Sequence, residues 1–425
     1  MTTEPATTTG TTGDFTIRAG FIPLLDAAIM IVAKEMGFAR EEGIDLVLIR
    51  ESSWASIRDR VALGHFDVAH MLAPMPIAAS LGLTPFGGKI ITPMCLGLGG
   101  NAITVSNAVW LGMSEHGADS SGDPKTAGEA LRAVVAERKA RGLPRLTFAV
   151  VHPFSSHNYY LRYWLAACGI DPRTDVALTI VPPPYMTDAL AGGHIDGYCV
   201  GEPWNSASVV AGVGHIATTT SAIWKSSPEK VLGARADWAE RNPDALAALI
   251  RAMHRASLWC DSGKNAPEIV ELLSSSRYLD VAPSTMMTGL TGRLALGEDQ
   301  PQTLPDFRYF ARRAATFPWI SHGLWFFSQM VRWGQTELTP ATLETARLSI
   351  RPDLYRKALG PLGVALPNAS SKVEGSLAME TPVATADGRL FLGPDGFFDG
   401  KVFDPDLIED YVAGFAIAGG APEED

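Results

Sequence analysis

The chain has 425 residues, 46% of them hydrophobic and 19% charged, which is ordinary globular composition and enough for two or three hydrophobic cores. A formal charge of −11 with pI near 5.3 excludes broad contact with nucleic acid or anionic membrane, since phosphate binding needs a basic surface. Cys95, Cys168, Cys199 and Cys260 are scattered, with no spacing suited to a metal, so they read as packing residues.

Residues 1–13, MTTEPATTTGTTG, read as a disordered tail without the basic and apolar regions of an export signal. From Phe15 the pattern is strand and helix in alternation: FTIRAGFI a strand, LDAAIMIVAKEMGFAREEG a helix, DLVLIRE a strand. Ser52 or Ser53 can cap the helix WASIRDRVALGH, whose buried stripe is Ile57, Val61 and Leu63; strand FDVAHML and helix MPIAASLGL follow. The stretch GKIITPMCLGLGGNAITVS is a crossing into a second series. There helix KTAGEALRAVVAERKARG leads to strand LTFAVV, helix HNYYLRYWLAACG, strand ALTIV, helix YMTDALAGG and strand GYCV. HIATTTSAIWK is the expected return crossing, DWAERNPDALAALIRAMHRASLWC a long amphipathic segment, and GRLFLGPDGFFDGKVF a hairpin or loop wrapped on the body.

LGHFDVAHMLAP (63–74) and GGHIDGYCVGEP (192–203) repeat one unit: a glycine ends a helix, Asp67 or Asp196 holds the turn, and a strand delivers a loop. The repeat predicts two similar α/β lobes with ligand at the carboxyl ends of their strands. The expected organisation is lobe 1 over residues 14–103 and 222–330, lobe 2 over 104–221, and a C-terminal extension over 331–425 wrapping lobe 1.

Catalytic motifs are absent. GLTPFGGKI (82–90) departs from a phosphate loop at Gly88 and Ile90, and Glu202 in GEPWN is a lone acid suited to a helix cap or a contact between lobes. The loops instead collect donors: Trp54 in ESSWAS, Asn101 in GGNAI, His157 in SSHNYY, Lys225 in AIWKSSPEK. A planar monovalent oxyanion needs several donors and one compensating charge, and a carboxylate beside it is expected to be absent.

RAGFIPLLDAAIMIVAKEMGFAREEG, GNAITVSN, LRYWLAACGIDP, CVGEPWN, IWKSSPEKVLG and DGKVFDP together resemble the nitrate and bicarbonate ABC-transporter binding proteins, from Phe15 to the C-terminal tail. The resemblance implies a two-lobed periplasmic-binding-protein-like fold (type 2) with helix-covered mixed sheets, and nitrate or nitrite in the cleft. By motif, the ligand-holding residues fall on Trp54, Gly97, Asn101, His157 and Lys225, without metal, cofactor or catalysis. Lys225 favours nitrate or nitrite, since the bicarbonate-binding relatives carry an acidic residue there that suits calcium. The early first strand is most similar to the cytosolic NasS-type sensor branch, which implies a cytoplasmic protein that holds an ANTAR-type (NasT-like) antiterminator and releases it when the anion binds. The alternatives are an exported transporter subunit and a precursor-synthesis enzyme of related fold.

Overall fold

The computed structural model describes residues 15–298 and 301–419, so the tail expected over residues 1–13 lies outside them. The chain runs through β1 (Phe15–Phe21), β2 (Ile44–Arg50), β3 (Val68–Leu72) and β4 (Ile90–Cys95), then crosses through the two-residue β5 (Leu98–Gly99). It continues in β6 (Asn101–Ser106), β7 (Thr147–Val150), β8 (Ala177–Ile180), β9 (Gly197–Gly201) and β10 (Gly214–Thr219), and returns as β11 (Lys230–Arg235).

These strands form two five-stranded sheets, ordered β2-β1-β3-β11-β4 and β10-β6-β9-β7-β8. In the first, β1 is parallel to β2 and β3 while β11 runs antiparallel to β3 and β4. The second repeats the plan: β7 is parallel to β8 and β9, and β6 runs antiparallel to β9 and β10. A strand returning after the second lobe, β11, completes the first sheet, while the second is built from the consecutive strands β6 to β10.

The internal similarity is a structural repeat. Gly64 (φ 76°) and Gly193 (φ 68°) both take the left-handed conformation that ends a helix. The Asp67 carboxylate accepts the Arg18 N–H at 2.8 Å, and Asp196 accepts the Thr147 N–H at 2.7 Å. Each aspartate pins the turn before its strand, β3 or β9, to the parallel neighbour of that strand, β1 or β7.

Several local expectations shift for identifiable reasons. The first helix breaks at Gly37 (φ 83°) into Ala28–Glu35 and Phe38–Glu41. The long amphipathic segment divides at Asn242, with Pro243 opening helix Pro243–Cys260. Ile57 and Val61 are buried, but Leu63 follows the last helical residue and is exposed. The return crossing holds a full strand, β10, followed by the short helix Thr220–Ile223.

The extension touches both lobes. The boundary expected at residue 330 falls inside helix Ile320–Arg332, and that helix packs against Ser156–Ala167 of the second lobe as well as Pro74–Ser80 of the first. Tyr159 donates to Gln335 at 2.6 Å and Tyr163 donates to Asp399 at 2.9 Å. Rings of Tyr160, Tyr163, Trp224, Trp325 and Phe397 stack into one aromatic block across this junction. Among the described residues no helix is long and apolar enough to cross a membrane.

Candidate functional site between the lobes

The carboxyl end of β1 leads to Asp26, β3 carries His70, and Lys230 opens β11 directly after Glu229. The second lobe brings Asn101 at the start of β6, and Ser156 and His157 at the start of helix Ser156–Ala167. Trp54 opens helix Trp54–Ala62, capped by the Ser53 side chain, which accepts the Ser56 N–H; Ser155 caps the other helix in the same way through the Asn158 N–H. Two helix N-termini, one from each lobe, therefore begin at the cluster and lend it partial positive charge.

Apart from the half-buried cap Ser53, all of these side chains are buried. Asp26 stands 2.9 Å from His70 Nε2 through one oxygen and 2.9 Å from Lys230 Nζ through the other. His70 Nδ1 accepts the Ile22 N–H at 3.4 Å, which fixes the proton on Nε2. Glu229 contacts Lys230 with one oxygen and accepts the Ser156 hydroxyl with the other. His157 Nε2 lies 3.3 Å from Asn101 Oδ1 and 3.6 Å from Glu229. The Lys230 ammonium sits 5.5 Å from the centre of the Trp54 ring, which also packs on His70 at 5.3 Å. Gly201 permits this closeness: a Cβ there would lie 3.1 Å from Asn101 Oδ1 and 3.3 Å from Asp26 Oδ2.

Burial pushes the Asp26 carboxyl up, but Lys230, His70 and Arg308 outweigh it and hold it well below the usual carboxylate range. Burial lowers the Lys230 ammonium to about 8, with Asp26 pulling the other way. Burial and then Lys230 depress His157 well below the ordinary histidine range, against Asp26, so its imidazole is neutral near pH 7. Among the described residues, Trp54 Nε1, Asn101 Nδ2 and His157 Nδ1 are buried without hydrogen-bond partners. The first two are donors, whereas Nδ1 of a neutral His157 whose Nε2 faces Asn101 Oδ1 is an acceptor, and orphaned polar groups at such a depth are costly unless a ligand or water engages them.

Of the residues expected from the sequence, the structure brings together Trp54, Asn101 and His157. Lys225 stands apart: it is exposed, and its backbone N–H donates to the Gly396 carbonyl because Trp224 beside it is buried against Phe397. The lysine of the cluster is Lys230, five residues on. Gly97 (φ 118°) forms the bend between β4 and β5, where a Cβ would meet the Tyr309 carbonyl at 2.6 Å, and it serves the crossing. The expected absence of carboxylates is also overturned, since Asp26 and Glu229 both lie in the cluster. They are tolerated because Lys230, His70 and Ser156 occupy their oxygens. Sequence reasoning missed Asp26, His70, Glu229 and Lys230; the repeated strand VAHML and the second lysine of KSSPEK were the signals available.

Two α/β lobes of matching sheet plan, the first completed by a strand that returns after the second, enclose a buried polar cluster drawn from both and define a periplasmic-binding-protein-like solute-binding protein. Residues 11–274 match the NMT1-like family. The chain is 34% identical to the nitrate/nitrite binding protein NrtA of Synechococcus elongatus, over 94% of this chain and 85% of that protein. It is 37% identical to the nitrate import ATP-binding protein NrtC of Synechocystis, over 81% of this chain and 50% of that one. The crystal structure of the periplasmic nitrate-binding protein NrtA from Synechocystis superposes with a TM-score of 0.83 at 29% identity, covering 95% of this chain and 98% of that one. The chain belongs to the NMT1-like family, within its nitrate and bicarbonate ABC-transporter substrate-binding group.

Proposed function

We propose that this protein binds nitrate or nitrite between its lobes as the solute-binding component of a transport assembly. The observation that carries the proposal is the convergence of Trp54 and Lys230 from one lobe with Asn101 and His157 from the other in one buried cluster. Nitrate and nitrite only accept hydrogen bonds, and the partnerless Trp54 and Asn101 N–H groups only donate. Bicarbonate also carries a hydroxyl and needs an acceptor. The oxygens of Asp26 and Glu229 are already engaged by His70, Lys230 and Ser156, which disfavours that ligand.

Calorimetric titration with nitrate, nitrite and bicarbonate tests this reading. Nitrate or nitrite should bind and bicarbonate should not. Losing a charge-assisted hydrogen bond weakens binding by about tenfold or more, so Lys230→Ala should show that loss while Lys225→Ala stays at wild-type affinity. Tightest binding of bicarbonate, or loss confined to the Lys225 variant, would overturn it. The relatives' names support transport over the antiterminator partner expected from the sequence. Co-elution with an ANTAR-type antiterminator that nitrate abolishes would reverse that preference.

A further inference from the structure

The segment Gly201–Ser206, made of the end of β9, a short turn and the first residues of helix Trp204–Val210, joins the two lobes immediately beside the anion donors. The Glu202 carbonyl accepts the Leu25 N–H at 2.9 Å. The Trp204 indole donates to the Pro23 carbonyl at 3.3 Å, and the hydroxyls of Ser206 and Thr288 lie 2.9 Å apart, with Thr288, in helix Pro283–Thr291, accepting from Ser206 while its own proton goes to the Thr285 carbonyl at 2.7 Å. Gly289 in that helix leaves room for the approach, since a Cβ there would stand 2.8 Å from Glu202 Cγ.

Elsewhere the lobes meet over broader packed surfaces, which carry hydrogen bonds of their own such as Tyr159 to Gln335 and Tyr163 to Asp399. One is the aromatic block around Trp224 and Phe397; another packs Ala102 and Ile216 against Leu294, Leu296 and Phe307. Densely packed apolar surfaces separate only as a whole, whereas this segment joins the lobes through a few discrete hydrogen bonds that can be removed singly. The polar loop is also continuous with the ligand cluster at both ends of its main contact. Leu25 precedes Asp26, and Gly201 lies against Asn101 and Asp26. Asp26, which holds Lys230, and the donor Asn101 therefore both stand next to this segment, the first by chain and the second across the sheet.

We propose that Gly201–Ser206 is a clasp that holds the lobes closed over the bound anion, with Trp204 and Thr288 as its positioning residues. This deepens the anion-binding reading and rests on it. A ligand held by donors of both lobes leaves only when those donors separate, so the clasp governs release more than capture.

Nitrate association and dissociation rates of wild type, Trp204→Phe and Thr288→Val give the first test. Phenylalanine keeps the ring and valine the shape, so each variant removes one hydrogen bond between the lobes. Loss of one neutral hydrogen bond corresponds to about three- to tenfold, and the dissociation rate should rise by that factor with the association rate unchanged. Unchanged dissociation in both variants, or an affinity loss carried by slower association, would overturn the clasp. Amide exchange of the peptide around Leu25, in protein without added anion, gives a second readout. It should quicken in both variants, and exchange equal to wild type in both would overturn the clasp. A wild type that binds neither nitrate nor nitrite would instead overturn the anion reading, with the clasp decided by the exchange experiment.

Discussion

Lys230 is the residue on which the chemistry of the cleft turns. Its ammonium must be protonated to attract an anion, and burial has lowered it to about 8. Affinity should therefore hold steady up to about pH 8 and fall by up to tenfold per unit above it, because the fraction of charged lysine falls at that rate. His157 is already neutral across this range, so no bend is expected near pH 6.5. Calorimetry from pH 6 to 9.5 measures the profile, and Lys230→Arg should remove the bend by keeping the charge. A bend near 6.5 instead would mean that His157 binds as a cation. Trp54, Asn101 and His157 were legible in the sequence because each sits beside a turn signal: a serine cap or a glycine run. Lys230 was not, because KSSPEK offers two lysines, and the choice depends on where the buried Trp224 ends the loop and β11 begins.

At the scale of elements, the repeat was the most informative sequence feature, since a helix-ending glycine and a turn-holding aspartate are local chemistry that survives change elsewhere. The antiparallel entry of β6 and β11 was not legible, because a strand that completes a distant sheet has the same alternation as one that stays at home. The cap of the first-lobe helix was narrowed to Ser52 or Ser53, and backbone geometry selects Ser53; in the second lobe the cap is Ser155. Ser155→Ala should cost about 1 kcal/mol of stability and fray the turn that bears His157. Thermal unfolding and anion titration should both register the change, with affinity lowered a few-fold. Full stability with unaltered affinity would remove the cap from the account of the site. In the extension, burial opposes ionisation of Glu374, but Lys372 and His322 prevail and bring its carboxyl down to about 2. A carboxyl depressed below its unfolded value contributes stability above about pH 4.5 that is lost as pH falls toward 2. Glu374→Gln should therefore narrow the difference in melting temperature between pH 7 and pH 3, measured by calorimetry; an unchanged difference would place acid sensitivity elsewhere.

Across the whole molecule, the extension reaches well past the lobe it was expected to wrap. Its Phe397 stacks on Trp224 with centroids 4.5 Å apart, the Phe398 N–H bonds the Ile223 carbonyl at 2.9 Å, and Ser226 donates to the Pro394 carbonyl at 3.0 Å. These contacts fix the segment that ends in Glu229 and Lys230. Phe397→Ala should destabilise the fold by about 3 to 5 kcal/mol, the usual loss for an aromatic ring in a packed core, and should weaken anion binding with it. Chemical denaturation gives the first value and titration the second. Lost stability with intact affinity would mean that the aromatic block supports the fold without positioning the lysine.

The sheet order also sets a timetable for synthesis. The second lobe's five strands lie in one uninterrupted stretch from Asn101 to Thr219, but β11 at Lys230–Arg235 sits between β3 and β4 in the first sheet. A ribosome that has made β1 to β4 has emitted a sheet with a gap where β3 should meet a neighbour, and two unpaired edges wait through more than a hundred further residues. The later lobe can close while the earlier one is still incomplete, so on the ribosome the folding order should run opposite to the order of synthesis.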